Sequence, residues 1–148
     1  MYRHILVPTD GSKRSRRAAR TAARLARAFR ARLTAIHVTP EGVPTVFSGS
    51  TLYGAGVLGR DYRERAMRHA QRALSVVEDE ARAAGAAYSS VRRVAREPWR
   101  AVISTARSRK CDLIVMASHG RSGLRALVLG SETMKVLAHT KTQVLVCR

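Results

Sequence analysis

Cysteine is scarce in this sequence: Cys111 and Cys147 are the only two. They fall at opposite ends of two different expected strands, so parallel strands would hold the thiols apart and no disulfide is expected. Without CxxC or histidine-rich spacing they do not form a zinc site either. Free thiols suit a reducing compartment. Acidic residues are also few. Ten Asp and Glu face 28 Lys and Arg, a formal charge of +18. Such a charge attracts polyanions without selectivity. No apolar run approaches the roughly 20 residues of a membrane helix. Met1-Tyr2-Arg3-His4 leads straight into a short strand rather than into a secretory signal. A cytoplasmic chain with no membrane partner is expected.

What remains is ordinary globular material. The chain has 148 residues and is 45% hydrophobic, which suits one domain over 1–148 burying roughly two-thirds of its surface. Its pattern alternates strand and helix. Residues 3–8 read as a strand with Ile5, Leu6 and Val7 buried, and Ser12 is a candidate N-cap for a helix over 13–31. In that helix Ala18, Ala19, Ala22, Leu25, Ala26 and Phe29 share one face, and Arg16, Arg17, Arg20, Arg24 and Arg27 the other. The arginine stripe lacks the aromatic residues that single-strand binders interleave with their charge. A solvated face is the expected reading, and a basic nucleic-acid-binding module is the alternative that the charge keeps open.

A second strand spans 33–39, with His37 facing away from Ile36 and Val38 as a packing residue. Residues 40–59 are broken by Pro, Gly and Ser and read as a surface loop. Within it, Gly54-Ala55-Gly56-Val57-Leu58-Gly59 fits the GxGxxG dinucleotide fingerprint. No buried strand precedes it, and Glu78 and Glu80, the acids about 20 residues on, fall inside an expected helix over 60–84. The match is therefore rejected. An edge strand over 88–95 and a helix opening at Pro98 follow.

The stretch Cys111–Thr133 is the most informative. Leu113 to Ala117 form a strand buried on both faces, a Gly- and Ser-rich loop follows, and a helix starts at Ser131. Free N–H groups at a helix start, beside glycines, make an anion site. The last helix is brief, about 131–139, and Gln143 to Cys147 form the final strand. Nothing in the chain marks a catalytic or metal site. It has no GxxxxGK[ST] and no GxSxG, and paired carboxylates do not flank the loop.

The segment ASHGRSGLRALVLGS resembles the nucleotide loop of the universal stress proteins. ATP-binding members of that family carry Gly, two residues, Gly, nine residues, then Gly and Ser or Thr. Here Gly120, nine residues and Gly130-Ser131 match, while Ala117 stands where the first glycine would be. The resemblance runs from MYRHILVPTDGS to KTQVLVCR. It implies a single doubly wound α/β domain, a five-stranded parallel sheet of order 3-2-1-4-5 with helices on both faces, and a stress-response binding module rather than an enzyme. It further implies ATP, with Mg as its companion ion, at the switch point of the sheet.

The residues implied are Pro8, Thr9 and Asp10 at the adenosine end, with Val38 bordering the base. Met116 and Ala117 end strand four, and His119, Gly120 and Arg121 lie in the loop. Gly130, Ser131, Glu132 and Thr133 open the helix that receives the phosphates. The Ala117 methyl either intrudes on the phosphate path or belongs to the buried strand. It keeps a second reading open, a member without ATP binding that acts through dimerisation and protein partners. The family also implies a homodimer paired through Val144, Leu145 and Val146 of the edge strand. A stable monomer at micromolar concentration would refute that dimer.

Overall fold

A computed structural model describes residues 1–41, 55–119 and 129–148. Nine elements alternate: β1 (His4–Pro8), α1 (Lys13–Phe29), β2 (Arg32–Pro40), α2 (Ala55–Ala84), β3 (Tyr88–Ala95), α3 (Pro98–Ser108), β4 (Leu113–Ala117), α4 (Ser131–His139) and β5 (Gln143–Cys147). The strands form one parallel sheet of order β3-β2-β1-β4-β5, as expected. Among the described residues no helix is long and apolar enough to cross a membrane.

Strand alternation divides the core in two. Ile5, Val7, Leu33, Leu113, Val115 and Ala117 face α1 and α2, together with the alanines of those helices. Leu6, Ile36, Ile114 and Met116 face α3 and α4, together with Trp99, Val102 and Val136. Small residues let α1 lie close to the sheet: Ala18, Ala19, Ala22, Ala23 and Ala26 are all buried. Leu25 and Phe29 are only partly buried on its flank. Ser12 does cap α1, its hydroxyl accepting from Ser15 N at 3.1 Å.

Two helix boundaries differ from the sequence reading. Helix α1 stops at Phe29 because Arg30 turns left-handed, at φ 54°, and its N–H closes on the Ala26 and Arg27 carbonyls. No glycine marks that stop. Helix α2 starts at Ala55, so Gly56 and Gly59 lie in a helix rather than a loop. Each glycine costs a helix interior about 1 kcal/mol relative to alanine, which is why the pattern reads as a breaker. Gly59 is buried, however, and tertiary packing overrides propensity. Glu78 and Glu80 both sit in α2, which removes the GxGxxG reading. The rest of the expected loop, 42–54, lies outside the described residues.

Both cysteines are free, Cys111 buried and Cys147 partly so. Burial, and then the neighbouring Asp112 charge, push the Cys111 thiol up to about 11. It is a packing residue rather than a nucleophile. Asp112 itself ties the start of β1 in place, accepting from Arg3 N at 2.8 Å and His4 N at 3.0 Å.

Candidate functional site

The sheet changes direction between β1 and β4, which are neighbours although α1, β2, α2, β3 and α3 separate them in sequence. Open α/β sheets leave a crevice at such a point, outside the carboxyl ends of the strands. A cavity of about 380 Å³ lies there, within the range of small-molecule sites. Pro8, Thr9 and Asp10 line it from β1, Val38 from β2, and Met116, Ala117 and His119 from β4 and its exit. Gly130, Ser131, Glu132 and Thr133 close it from the start of α4. Gly120 and Arg121 lie outside the described residues. A broader depression of about 720 Å³ lies at the opposite ends of the strands, beside Tyr2, Asp112 and Gln143. It holds none of the candidate nucleotide-site residues and no helix start.

The β1–α1 turn is held rigidly. Gly11 has φ +78°, and an added Cβ there would meet the Ala73 Cβ at 3.3 Å and the His69 ring at 3.4 Å. Glycine is thus required twice over, by torsion and by the approach of α2. Asp10 Oδ1 accepts from Ser12 N at 3.0 Å, an Asx-type turn. Burial alone would raise the Asp10 pKa, but hydrogen bonds from Ser12 and Ser15 together hold it below its ordinary value. The carboxyl is therefore ionised at neutral pH and can accept from hydroxyl groups.

His37 Nδ1–H donates to the Thr9 carbonyl at 2.8 Å, and His69 Nε2–H to the Asp10 carbonyl at 3.1 Å. The two rings stand edge to face, with centroids 5.2 Å apart. His37 does face away from Ile36 and Val38, as alternation predicts, and its packing role is to clamp this turn. Nothing in the sequence pairs it with His69. That contact depends on where α2 crosses β2.

At the other wall, Gly130 is the N-cap of α4 and supplies no side-chain cap, so among the described residues the first-turn N–H groups have no capping side chain. Gly130 N donates to Ser118 O at 2.7 Å, and the Thr133 hydroxyl donates to Ala117 O at 3.0 Å. These two bonds lock the helix start onto the end of β4. Gly130 has φ −60° and ψ 149°, a conformation open to any residue, so its torsion gives no reason for glycine. The Glu132 carboxylate accepts from Trp99 N at 2.8 Å, capping α3, and from Lys135 Nζ of its own helix at 3.4 Å.

Ala117 lies both in the core and on the cavity wall. Its side chain belongs to the core cluster of Val7 and Val115 beneath α1, and its carbonyl serves Thr133. The methyl completes a buried strand. His119 bonds to the Ser118 hydroxyl through Nδ1 at 3.2 Å, while its Nε2 is buried and has no partner among the described residues. An orphaned nitrogen on the cavity wall fits a polar ligand.

Sequence reasoning missed Ser15, Ile36, Pro98, Trp99, Val102 and Val136, which also line the cavity. Trp99 is the largest of these. Its ring lies 4.5 Å below the Arg100 guanidinium carbon and 4.6 Å from the His139 ring. Only its status as the sole tryptophan, just after a helix-opening proline, could have flagged it. Among the described residues no cluster of His, Cys, Asp and Glu could hold a metal.

Comparison with known proteins agrees with this architecture. A universal stress protein of Thermus aquaticus is 32% identical over 149 residues, covering 100% of both chains. One from Methanocaldococcus jannaschii is 31% identical over 148 residues, covering 100% of this chain and 83% of the other. A crystal structure of a universal stress protein in complex with cAMP superposes with a TM-score of 0.66 at 28% identity, covering 99% of this chain and 97% of that one. The universal stress protein family matches residues 1–148 without a gap in coverage. The chain belongs to the universal stress protein family.

Proposed function

We propose that the chain is a nucleotide-binding stress-response module that takes ATP in the switch-point cavity and is not an enzyme. The observation that carries this reading is convergence. An ionised carboxylate at the end of β1 and an uncapped helix start after β4 meet on one 380 Å³ cavity. Asp10 accepts from the ribose hydroxyls, and the apolar wall of Ile36, Val38 and Met116 covers the base. Ser131, Glu132 and Thr133 direct backbone N–H groups to the phosphates, with Gly120 and Arg121 completing the loop. A relative that binds cAMP supports a nucleotide as the ligand class. Among the described residues no protein cage for a metal is present. Mg, as the companion ion of ATP, would be held by the phosphates rather than by a dedicated cage.

Calorimetric titration of ATP at near-physiological salt tests the reading, because a +18 chain attracts any polyphosphate at low salt. Saturable binding of one ATP per chain is expected. In Asp10→Ala it should weaken about tenfold or more, a charge-assisted hydrogen bond being worth about 1.5–3 kcal/mol. Binding that disappears with salt and ignores Asp10→Ala would refute the assignment. The second reading, partner recognition through the dimer, rests on β5. It is one of the two edges of the sheet, and Leu145 is 38% exposed on it.

A further inference from the structure

Helix α1 carries seven cations, Lys13, Arg14, Arg16, Arg17, Arg20, Arg24 and Arg27, and no carboxylate. All seven are exposed. Glu80 of α2 engages two of them, bonding Arg16 Nε at 2.9 Å and Arg20 Nε at 3.0 Å. The hydrogen bond from Arg20 chiefly holds the Glu80 pKa down, against a smaller opposing effect of burial and with help from Arg16. Lys13, Arg14, Arg17, Arg24 and Arg27 have no acidic partner among the described residues. Helix α2 cannot supply one, because its other acids are taken up by its own arginines: Asp61 by Arg65, Glu64 by Arg68, Glu78 and Asp79 by Arg82.

This arrangement works against the helix itself. Lys13 and Arg14 occupy the first turn, where the macrodipole disfavours cations and where no acid offsets them. Like charges recur at i,i+3 and i,i+4 along the stripe, each pair mildly destabilising. A bound polyanion would relieve both effects. Arg17, Arg20, Arg24 and Arg27 follow one line over about 15 Å of helix, against a duplex strand that presents a phosphate about every 3.4 Å of its axis.

We propose that the outer face of α1 docks the phosphate backbone of double-stranded nucleic acid, without sequence selection. The face has no aromatic ring on which unpaired bases could stack, which disfavours single strands. Its apolar side is turned into the sheet, and the exposed large apolar residues (Met1, Met67, Val94, Met134, Leu137 and Leu145) all lie elsewhere. A membrane-surface helix needs an apolar face turned outward. The arginines suit phosphate because a planar guanidinium binds it bidentately.

Fluorescence anisotropy with a labelled 20-base-pair DNA duplex, titrated across salt, tests the proposal. Five unpaired cations meeting five phosphates predict a slope near −4.5 in log K against log salt. That is about a 500-fold loss of affinity between 50 and 200 mM. The triple variant R17Q/R24Q/R27Q should cut the slope to about −1.8, a loss of only about tenfold over the same interval. The control R92Q/R93Q/R107Q removes the same charge from the edge strand β3 and from α3, and should keep the slope. Circular dichroism confirms that both variants fold. Equal weakening by the two triples would overturn the proposal, since binding would then follow net charge alone. So would tighter binding to the single strand, or to vesicles of anionic phospholipid, than to the duplex.

Discussion

Gly130→Ala is expected to cost no more than about 1 kcal/mol of stability and to cut ATP affinity by about 5- to 150-fold. The two halves of this expectation rest on different observations. At φ −60° and ψ 149° the backbone of Gly130 is already in a region alanine prefers, so folding meets no torsional penalty. Its N–H, which donates to Ser118 O at 2.7 Å, is retained. Because alanine is a poorer N-cap than glycine, a loss of no more than about 1 kcal/mol is expected in chemical denaturation. A methyl at the helix start, however, would stand where the proposed site receives the phosphates. Overpacking there costs about 1–3 kcal/mol, which gives the stated range. Thermal melting and calorimetry on the same preparation separate the two effects. A variant that melts like the parent and binds ATP like the parent would show that phosphates do not pass Gly130.

Leu6→Ala is expected to destabilise the fold by about 2–5 kcal/mol. Leu6 is fully buried in β1, the central strand, where it registers with Thr34 on one side and Ile114 on the other. Its side chain enters the cluster that holds Trp99, Val102 and Val136. Strands on both sides fix the backbone, so the vacated space cannot close by a shift of β1, and cavity and transfer terms add. Equilibrium urea denaturation followed by Trp99 fluorescence reads the loss directly, because the sole tryptophan packs in the same cluster. A loss under about 1 kcal/mol would mean that this half of the core is looser than its burial indicates.

The elements were legible in the sequence where local chemistry and packing agree. Leu113–Ala117, Ser131–His139 and Gln143–Cys147 have the bounds that periodicity alone predicts. Each is a short apolar or amphipathic run between clear breakers, so no distant contact is needed to define it. The strand order came from the family resemblance rather than from periodicity, since a run of apolar residues does not encode its neighbours. The start of α2 was illegible for the opposite reason. Two glycines argue against helix within the window, and the packing that overrides them comes from outside it.

The sequence by itself determined the alternation of strands and helices, the basic outer face of α1, and the residues that match the family's nucleotide loop. Those follow from side-chain chemistry at short range, which a linear reading contains. Tertiary structure decided where each side chain points. It placed the Ala117 methyl in the core, turned Glu132 onto Trp99 N, brought His37 and His69 onto adjoining carbonyls, and left five cations of α1 without acids. Each of these depends on how close two elements far apart in sequence approach one another. That distance is fixed only when the whole core packs.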